Sequence, residues 1–139
     1  MQQQMSVVTL GIDDVARSRL FYVEGFGWTP VFENDEIVFY QMNGLVLGTW
    51  LRSAMAEDSA RPAAGSSGFA LAHNVTSEKE VAPVIERLIA AGGSLLRAAK
   101  APPQGGLNGY VADPDGHAWE IAFNPAWPIS PEGFVTFRA

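Results

Sequence analysis

The sequence of 139 residues contains no cysteine, relatively few charged residues and no long apolar run. Without cysteine, the chain has no disulfide, no thiolate metal ligand and no cysteine nucleophile. Only 17% of its residues are charged, the formal net charge is −6, and no cluster of Lys or Arg is interleaved with aromatic residues. Nucleic acid is therefore not an expected partner, because its recognition needs an electropositive face.

The lack of targeting features makes the cytoplasm the expected location. No apolar stretch reaches the length needed to cross a bilayer, so no membrane partner is predicted. The first five residues, MQQQM, lack the basic and apolar regions of a secretory signal. A hydrophobic content of 47% in 139 residues is typical of one globular domain that buries a core.

The same order of predicted elements occurs twice along the chain. Alternating or β-branched apolar runs predict strands, and apolar residues at helical spacing predict helices. The first half contains a strand at 6–12, a helix from Asp13 or Asp14 to Gly25 or Gly27, and strands at 28–33, 36–41 and 45–51. The second half contains a strand at 68–75, a helix that ends at Gly92-Gly93, and strands at 94–99, 109–113 and 118–123.

Three local features refine these elements. Ser77 and Glu80 have the spacing of a capping box at the start of the second helix. Pro83 lies inside that helix and predicts either a kink or a later helix start. In the turn before the last strand, Asp113 and Asp115 are predicted to bond their own backbone, and His117 is predicted to anchor the turn.

The repeated order predicts an α+β fold of paired βαβββ modules, which form a curved eight-stranded mixed sheet around a concave cavity. A single domain is expected over residues 5–125, with module one at 5–52, a linker at 53–66, module two at 67–125, and a C-terminal tail at 126–139. A ferredoxin-like α+β sandwich is the alternative, but the strand order within each half fits it less well. The tail has no regular period, and its large apolar residues predict that it docks on its own domain or on a second subunit.

Glu120 is the one carboxylate in the otherwise apolar strand AWEIAF. A charge in such a strand is costly unless it is paired, metal-bound or neutralised. Three interpretations remain open: a carboxylate held by neighbours such as Asn108 or Tyr110, an anchor for a cationic or donor-rich ligand, or a general base. Its parity with Ala118 and Ala122 predicts that it faces the concave side, while Trp119 and Ile121 face the helices.

Two stretches, LGIDDVARSRLFYVEGFGW and GYVADPDGHAWEIAFNP, resemble the vicinal oxygen chelate superfamily, which includes glyoxalase I, bleomycin-resistance proteins and extradiol dioxygenases. GFALAHNV is similar to the strand that opens the second module of that family. The resemblance covers residues 6–125. It implies the paired-module fold, a ligand cavity and, in the metal-dependent members, a divalent ion held by four side chains.

Only one of the four metal-ligand positions implied by the resemblance carries a ligating side chain. Glu120 matches the last of these positions, whereas the other three fall near Val7, near Gly48 and at Phe69. His117 and Glu120 are three residues apart on one strand, so their side chains are predicted to point to opposite faces. No metal site and no cofactor are therefore predicted.

The predicted function is a metal-independent small-molecule-binding protein of the glyoxalase/bleomycin-resistance type. The alternative is a glyoxalase-like lyase or isomerase in which Glu120 is catalytic, as a base or at an unusual metal site; a regulatory or structural interaction domain is a third class. The ligand is expected to be small and organic, cationic or planar, and the protein is expected to form a homodimer. The predicted ligand-binding residues are Glu120, His73, Phe69, Trp50, Tyr110 and Asn108.

Overall fold

In the computed structural model, which describes residues 1–137, the chain forms eight β-strands and three α-helices. The first module consists of β1 (Val7–Ile12), α1 (Val15–Leu20), β2 (Pro30–Glu33), β3 (Ile37–Gln41) and β4 (Val46–Leu51). Helix α2 (Arg52–Ser59) follows it. The second module consists of β5 (Leu71–Asn74), α3 (Val81–Ala90), β6 (Ser94–Lys100), β7 (Leu107–Ala112) and β8 (Ala118–Phe123).

The strands form two hydrogen-bonded sheets of four, in the orders β1-β4-β3-β2 and β5-β8-β7-β6. In each sheet the first and last strands of the module are parallel neighbours, and the other pairs are antiparallel. The two sheets therefore have identical topology. The predicted α+β class with paired βαβββ modules is confirmed.

Each sheet turns one face towards a hydrophobic core that the two modules share. Leu10 and Tyr40 reach this core from the first sheet, and Trp119 and Ile121 reach it from the second. Tyr22 lies between the sheets, with its ring centroid 5.7 Å from that of Tyr40 and 6.0 Å from that of Trp119. We call these sides the core faces of the sheets, and the opposite sides their open faces.

Local sequence explains where both module helices begin. Asp14 caps α1, because its side chain accepts a hydrogen bond of 2.7 Å from the Arg17 amide. A π-helical turn, Phe21–Gly25, extends α1 towards β2. In the second module a 3₁₀ turn at Glu78–Glu80 precedes α3, so Pro83 falls in the first α-helical turn, where its missing N–H costs no helical bond. The later helix start predicted from Pro83 is thus observed.

Two segments between the modules differ from the sequence prediction. The predicted linker begins with helix α2, whose sequence RSAMAEDS contains strong helix formers. The predicted strand at 68–75 is shortened to Leu71–Asn74. Gly65 and Gly68 have φ angles of +82° and +91°, which interrupt any extended run before β5.

The turn between β7 and β8 joins the two modules. The Asp113 carboxylate is buried, accepts the backbone N–H groups of Asp115 and His117, and accepts the Tyr22 hydroxyl at 2.6 Å. The buried His117 ring donates from Nε2 to the carbonyl of Gly11 at 2.7 Å. Burial raises the pKa of Asp113, while the hydrogen bond from Tyr22 opposes that rise.

Asp115 differs from its prediction as a locally bonded turn residue. Its Oδ1 atom accepts hydrogen bonds from the backbone N–H of Asp13 at 2.9 Å and from Arg17 Nη2 at 3.0 Å. Arg52 also reaches this junction, with its Nε atom 3.2 Å from Asp13 Oδ1. The turn therefore docks on the start of α1 in the other module, which its local sequence does not indicate.

The described part of the C-terminal tail packs on its own chain. Ile129 and Val135 form an isolated antiparallel bridge, and Gly133 lies against Asn43 of the β3–β4 turn. Arg138 and Ala139 lie outside the described residues. Within residues 1–137, every helix is too short or too polar to cross a membrane.

Candidate functional site

A row of polar side chains crosses the open face of the second sheet. Asn108 Nδ2 donates to Glu120 Oε1 at 2.7 Å, and Arg97 Nη2 donates to Asn108 Oδ1 at 2.7 Å. The Arg97 guanidinium carbon lies 5.2 Å from the centroid of the Tyr110 ring, in cation–π geometry. We call Arg97, Asn108, Tyr110 and Glu120 the polar row.

Strand register places these four residues on one face. Arg97 is the register partner of Tyr110, which is in turn the partner of Glu120 across β7 and β8. Asn108 shares this face because it is two residues from Tyr110 on the same strand. The buried residues Trp119 and Ile121 occupy the opposite face, as predicted from the alternation in β8.

Glu120 is half-buried, and its environment explains why a carboxylate is tolerated there. Asn108 donates to it directly, and the Arg97 guanidinium places a positive charge on the far side of that amide. The register partner in β5 is Ala72, and small residues at Ala118 and Ala122 flank the carboxylate along β8. The arrangement combines an anionic acceptor, an amide and a cation on one face of the sheet.

Arg97 is the member of the polar row that the sequence interpretation missed. Its strand, SLLRAAK, combines exposed leucines with alanines and has no clear polar alternation. The available signal was cross-strand pairing: an arginine on the strand next to Asn108 can neutralise a carboxylate one strand further away.

The other predicted ligand-binding residues lie elsewhere. Trp50 is on the open face of the first sheet, since its neighbour Thr49 is on the core face. Phe69 precedes β5 and has its ring centroid 5.8 Å from that of His117. His73 faces the core side, with its ring centroid 5.5 Å from that of Phe26. The chain thus brings Glu120, Asn108 and Tyr110 together and places His73 on the opposite face of the sheet.

The residues present do not fit the four-ligand metal centre that the fold implies. Val7 and Gly48 provide no ligating atom in their side chains on the first sheet, and Phe69 provides none near the second. Over residues 1–137, no group of three or more His, Asp or Glu side chains is arranged to hold a metal ion. Structural and catalytic metal sites usually need three or four protein ligands.

Two cavities lie away from the polar row. A smaller one of about 270 Å³ lies beside the segment 61–67 and includes Phe69 and His117 in its wall. A larger one of about 760 Å³ opens between the two core faces and includes His73 and Trp119. Glu120 lines neither of these two cavities.

The model of the Glyoxalase/Bleomycin resistance protein/Dioxygenase superfamily matches residues 4–121, and the chain belongs to this family. It is 64% identical to a glyoxalase-related enzyme from Fulvimarina pelagi, covering 99% of this chain and 100% of that one with a TM-score of 0.95. A family enzyme from Burkholderia phytofirmans is 19% identical, covering 86% of this chain and 98% of that one with a TM-score of 0.75.

A lactoylglutathione lyase from Agrobacterium tumefaciens has the same fold at lower identity. It is 17% identical, with 94% of this chain and 100% of that one covered and a TM-score of 0.72. At this identity, and at the 19% of the Burkholderia protein, the likeness concerns the fold alone. The vicinal oxygen chelate resemblance drawn from the sequence motifs is confirmed by the family match.

Proposed function

We propose that the chain is a cytoplasmic, metal-independent protein that binds a small organic ligand at the polar row. The observation that carries this proposal is a pair of consecutive hydrogen bonds, from Arg97 to Asn108 and from Asn108 to Glu120, on the open face of the second sheet. Side chains that hydrogen bonds already hold in place need not rearrange when a ligand binds, and this preorganisation favours binding. The family supports a ligand-binding role, whereas the identities at the metal positions argue against a metal.

The chemistry of the polar row favours a planar or cationic ligand. Glu120 offers a carboxylate for a cation or a hydrogen-bond donor, and charge-assisted bonds of this kind are stronger than neutral ones. Asn108 holds that carboxylate in position, and the alanines beside it leave space for a flat molecule. Arg97 restrains Asn108 and stacks on Tyr110, so we assign it a positioning role.

A homodimer would close the polar row into a pocket. The open face of the first sheet carries Phe32, Phe39 and Trp50, and Phe32 is 50% exposed. An apolar, aromatic surface of this kind is typically covered by a partner. We propose a two-fold arrangement in which this face of one copy covers the polar row of the other, with Trp50 as an apolar wall.

Sedimentation equilibrium tests this arrangement. We expect the mass of a dimer at micromolar concentration, and we expect Phe39→Glu to shift the protein towards monomer because it places a charge in the buried interface. Glu57→Gln, an exposed change on α2, is the control and leaves the dimer intact. A wild-type protein that stays monomeric at high micromolar concentration contradicts the proposal.

The metal content provides a separate prediction. After incubation with Ni²⁺, Zn²⁺, Mn²⁺ or Fe²⁺ and removal of free ions, elemental analysis is expected to find far less than one ion per chain. The reason is that Val7, Gly48 and Phe69 provide no ligands, whichever subunit they come from. About one ion per chain, lost on Glu120→Ala, would overturn metal independence.

Glu120→Gln tests the ligand site directly. A thermal-shift screen of cationic and neutral aromatic compounds identifies ligands, and calorimetry then measures their affinity for wild type and variant. We expect Glu120→Gln to weaken a cationic ligand by about 1–3 kcal/mol and a neutral one less, because it removes a charge-assisted bond. Glu86→Gln, exposed on α3, is the matched control. Equal affinity for wild type and Glu120→Gln would rule out Glu120 as the anchor.

The second candidate function is a glyoxalase-type lyase or isomerase with Glu120 as general base. The observation in its favour is the 64% identity to a protein described as a glyoxalase-related enzyme. In this case a compound from the same screen is converted by the wild type, and conversion disappears in Glu120→Gln. Binding without conversion supports the binding protein instead.

A further inference from the structure

The larger cavity lies on the opposite side of the second sheet from the polar row. It occupies about 760 Å³ where the core faces of the two sheets diverge, near the β3–β4 turn. This volume is within the range of small-molecule sites, roughly 300–1,000 Å³. The proposed function makes no use of this cavity, because Glu120, Asn108 and Arg97 are absent from its wall.

The wall of this cavity carries no formal charge and includes two indole rings among aliphatic and uncharged polar residues. None of its residues within the described chain is Asp, Glu, Lys or Arg, although these types make up 17% of the sequence. Trp28 and Trp119 stand edge to face in the wall, with ring centroids 5.6 Å apart. Such a wall favours a flat, uncharged molecule, since a charged one would lose its hydration without gaining an ion pair.

His73 provides a polar group beside these rings. Its centroid is 6.2 Å from that of Trp28, and both residues line the cavity. Burial lowers the pKa of His73, which favours the neutral imidazole. A neutral imidazole has one N–H donor and one acceptor nitrogen, so it can pair with a hydroxyl group in either direction.

The C-terminal tail completes the wall. Ile129, Gly133 and Val135 face the cavity, and the bridge between Ile129 and Val135 holds them together. The tail therefore covers the site from the same chain and adds apolar contacts to its rim.

We propose that this cavity is a second ligand site, independent of Glu120, that binds an uncharged aromatic alcohol with its ring against Trp28 and Trp119 and its hydroxyl group paired with His73. The aromatic surfaces supply most of the affinity through burial of the ring. His73 supplies the preference for an alcohol over the corresponding hydrocarbon.

The test uses 2-naphthol as the probe, with naphthalene and naphthalene-2-sulfonate as comparison ligands, and calorimetry as the measurement. Wild type is expected to bind 2-naphthol about tenfold more tightly than naphthalene and to reject the sulfonate. His73→Phe is expected to abolish the preference for the alcohol, whereas Glu120→Gln leaves it unchanged. Glu120→Gln distinguishes the second site from the polar row, because a negative result for one proposal leaves the other proposal standing.

Indole N–H signals in a two-dimensional NMR spectrum locate the probe without any change to the cavity. The chain has four tryptophans, of which Trp28 and Trp119 line the cavity and Trp50 and Trp127 do not. Saturable shifts confined to Trp28 and Trp119 are the expected result. The proposal is overturned if 2-naphthol does not bind, if its binding is lost in Glu120→Gln, or if the shifts fall on Trp50. The proposal is also overturned if 2-naphthol does not bind because a second copy of the chain occupies the cavity.

Discussion

Replacement of Asp113 by alanine is expected to lower the free energy of unfolding by about 3–5 kcal/mol. The carboxylate is 2% exposed and accepts three hydrogen bonds, from the Tyr22 hydroxyl and the backbone N–H groups of Asp115 and His117. Hydrogen bonds to charged groups contribute roughly 1.5–3 kcal/mol each, and the three are not additive because they share one acceptor. The change also leaves the buried Tyr22 hydroxyl without its acceptor at 2.6 Å.

Urea denaturation followed by circular dichroism measures this effect. Asp35→Ala is the matched control, since Asp35 is exposed in the β2–β3 turn, and it is expected to change stability by no more than about 0.5 kcal/mol. Tyr22→Phe is expected to cost less than Asp113→Ala, because the turn keeps its two backbone bonds. A loss below about 1 kcal/mol for Asp113→Ala would show that the turn does not join the modules energetically.

Trp119→Ala is expected to destabilise the protein by about 3–5 kcal/mol, the usual range for removing a buried aromatic side chain. The ring is 5% exposed and contacts aromatic residues of the first module, with centroid distances of 4.8 Å to Phe26 and 6.0 Å to Tyr22. Its Nε1 atom also donates to the Tyr22 hydroxyl at 3.2 Å. Trp119→Ala therefore weakens both the contact between the modules and the packing of the second sheet.

Trp127→Ala provides the control for this change. Trp127 lies in the tail, is 37% exposed and has its ring centroid 5.4 Å from that of Phe137, so a loss of about 1 kcal/mol or less is expected. Thermal unfolding monitored by far-ultraviolet circular dichroism compares the two variants at equal protein concentration. Similar destabilisation of both variants would contradict the assignment of Trp119 to a shared core.

The closeness of Asn108 and Tyr110 to Glu120 could be predicted from the sequence because it depends on strand alternation and a short hairpin. The turn DPDGH places β7 and β8 next to each other, so that Glu120 lies directly opposite Tyr110 and diagonally opposite Asn108 on the same face. Glu120 is flanked by Trp119 and Ile121, which belong in a core, and this assigns the carboxylate to the other face. The observed bond of 2.7 Å from Asn108 corresponds to one of the three interpretations left open for Glu120, a carboxylate held by its neighbours.

The sequence predicts that His73 shares one site with Phe69 and Glu120, which requires residues 68–75 to form one continuous strand. β5 begins only at Leu71, however, after Gly68 turns the backbone with a φ angle of +91°. The register partner of His73 is Ile121, which faces the core, so the His73 side chain lies on the core face as well. Parity is informative only within an unbroken strand.

By itself, the sequence determined the two modules, their element order, the family, and the face of β8 that carries Glu120. All of these depend on periodicity or on residues close together in the chain, where propensity and alternation act directly. Only the tertiary structure decided that Asp115 bonds Asp13, that Arg97 restrains Asn108, and that the larger cavity lies between the core faces. These features depend on the angle at which the sheets of the two modules pack against each other. They also depend on the pairing of β6 with β7, whose register is interrupted by irregularities. Such long-range geometry follows from the balance of many contacts, and no short stretch of sequence specifies it.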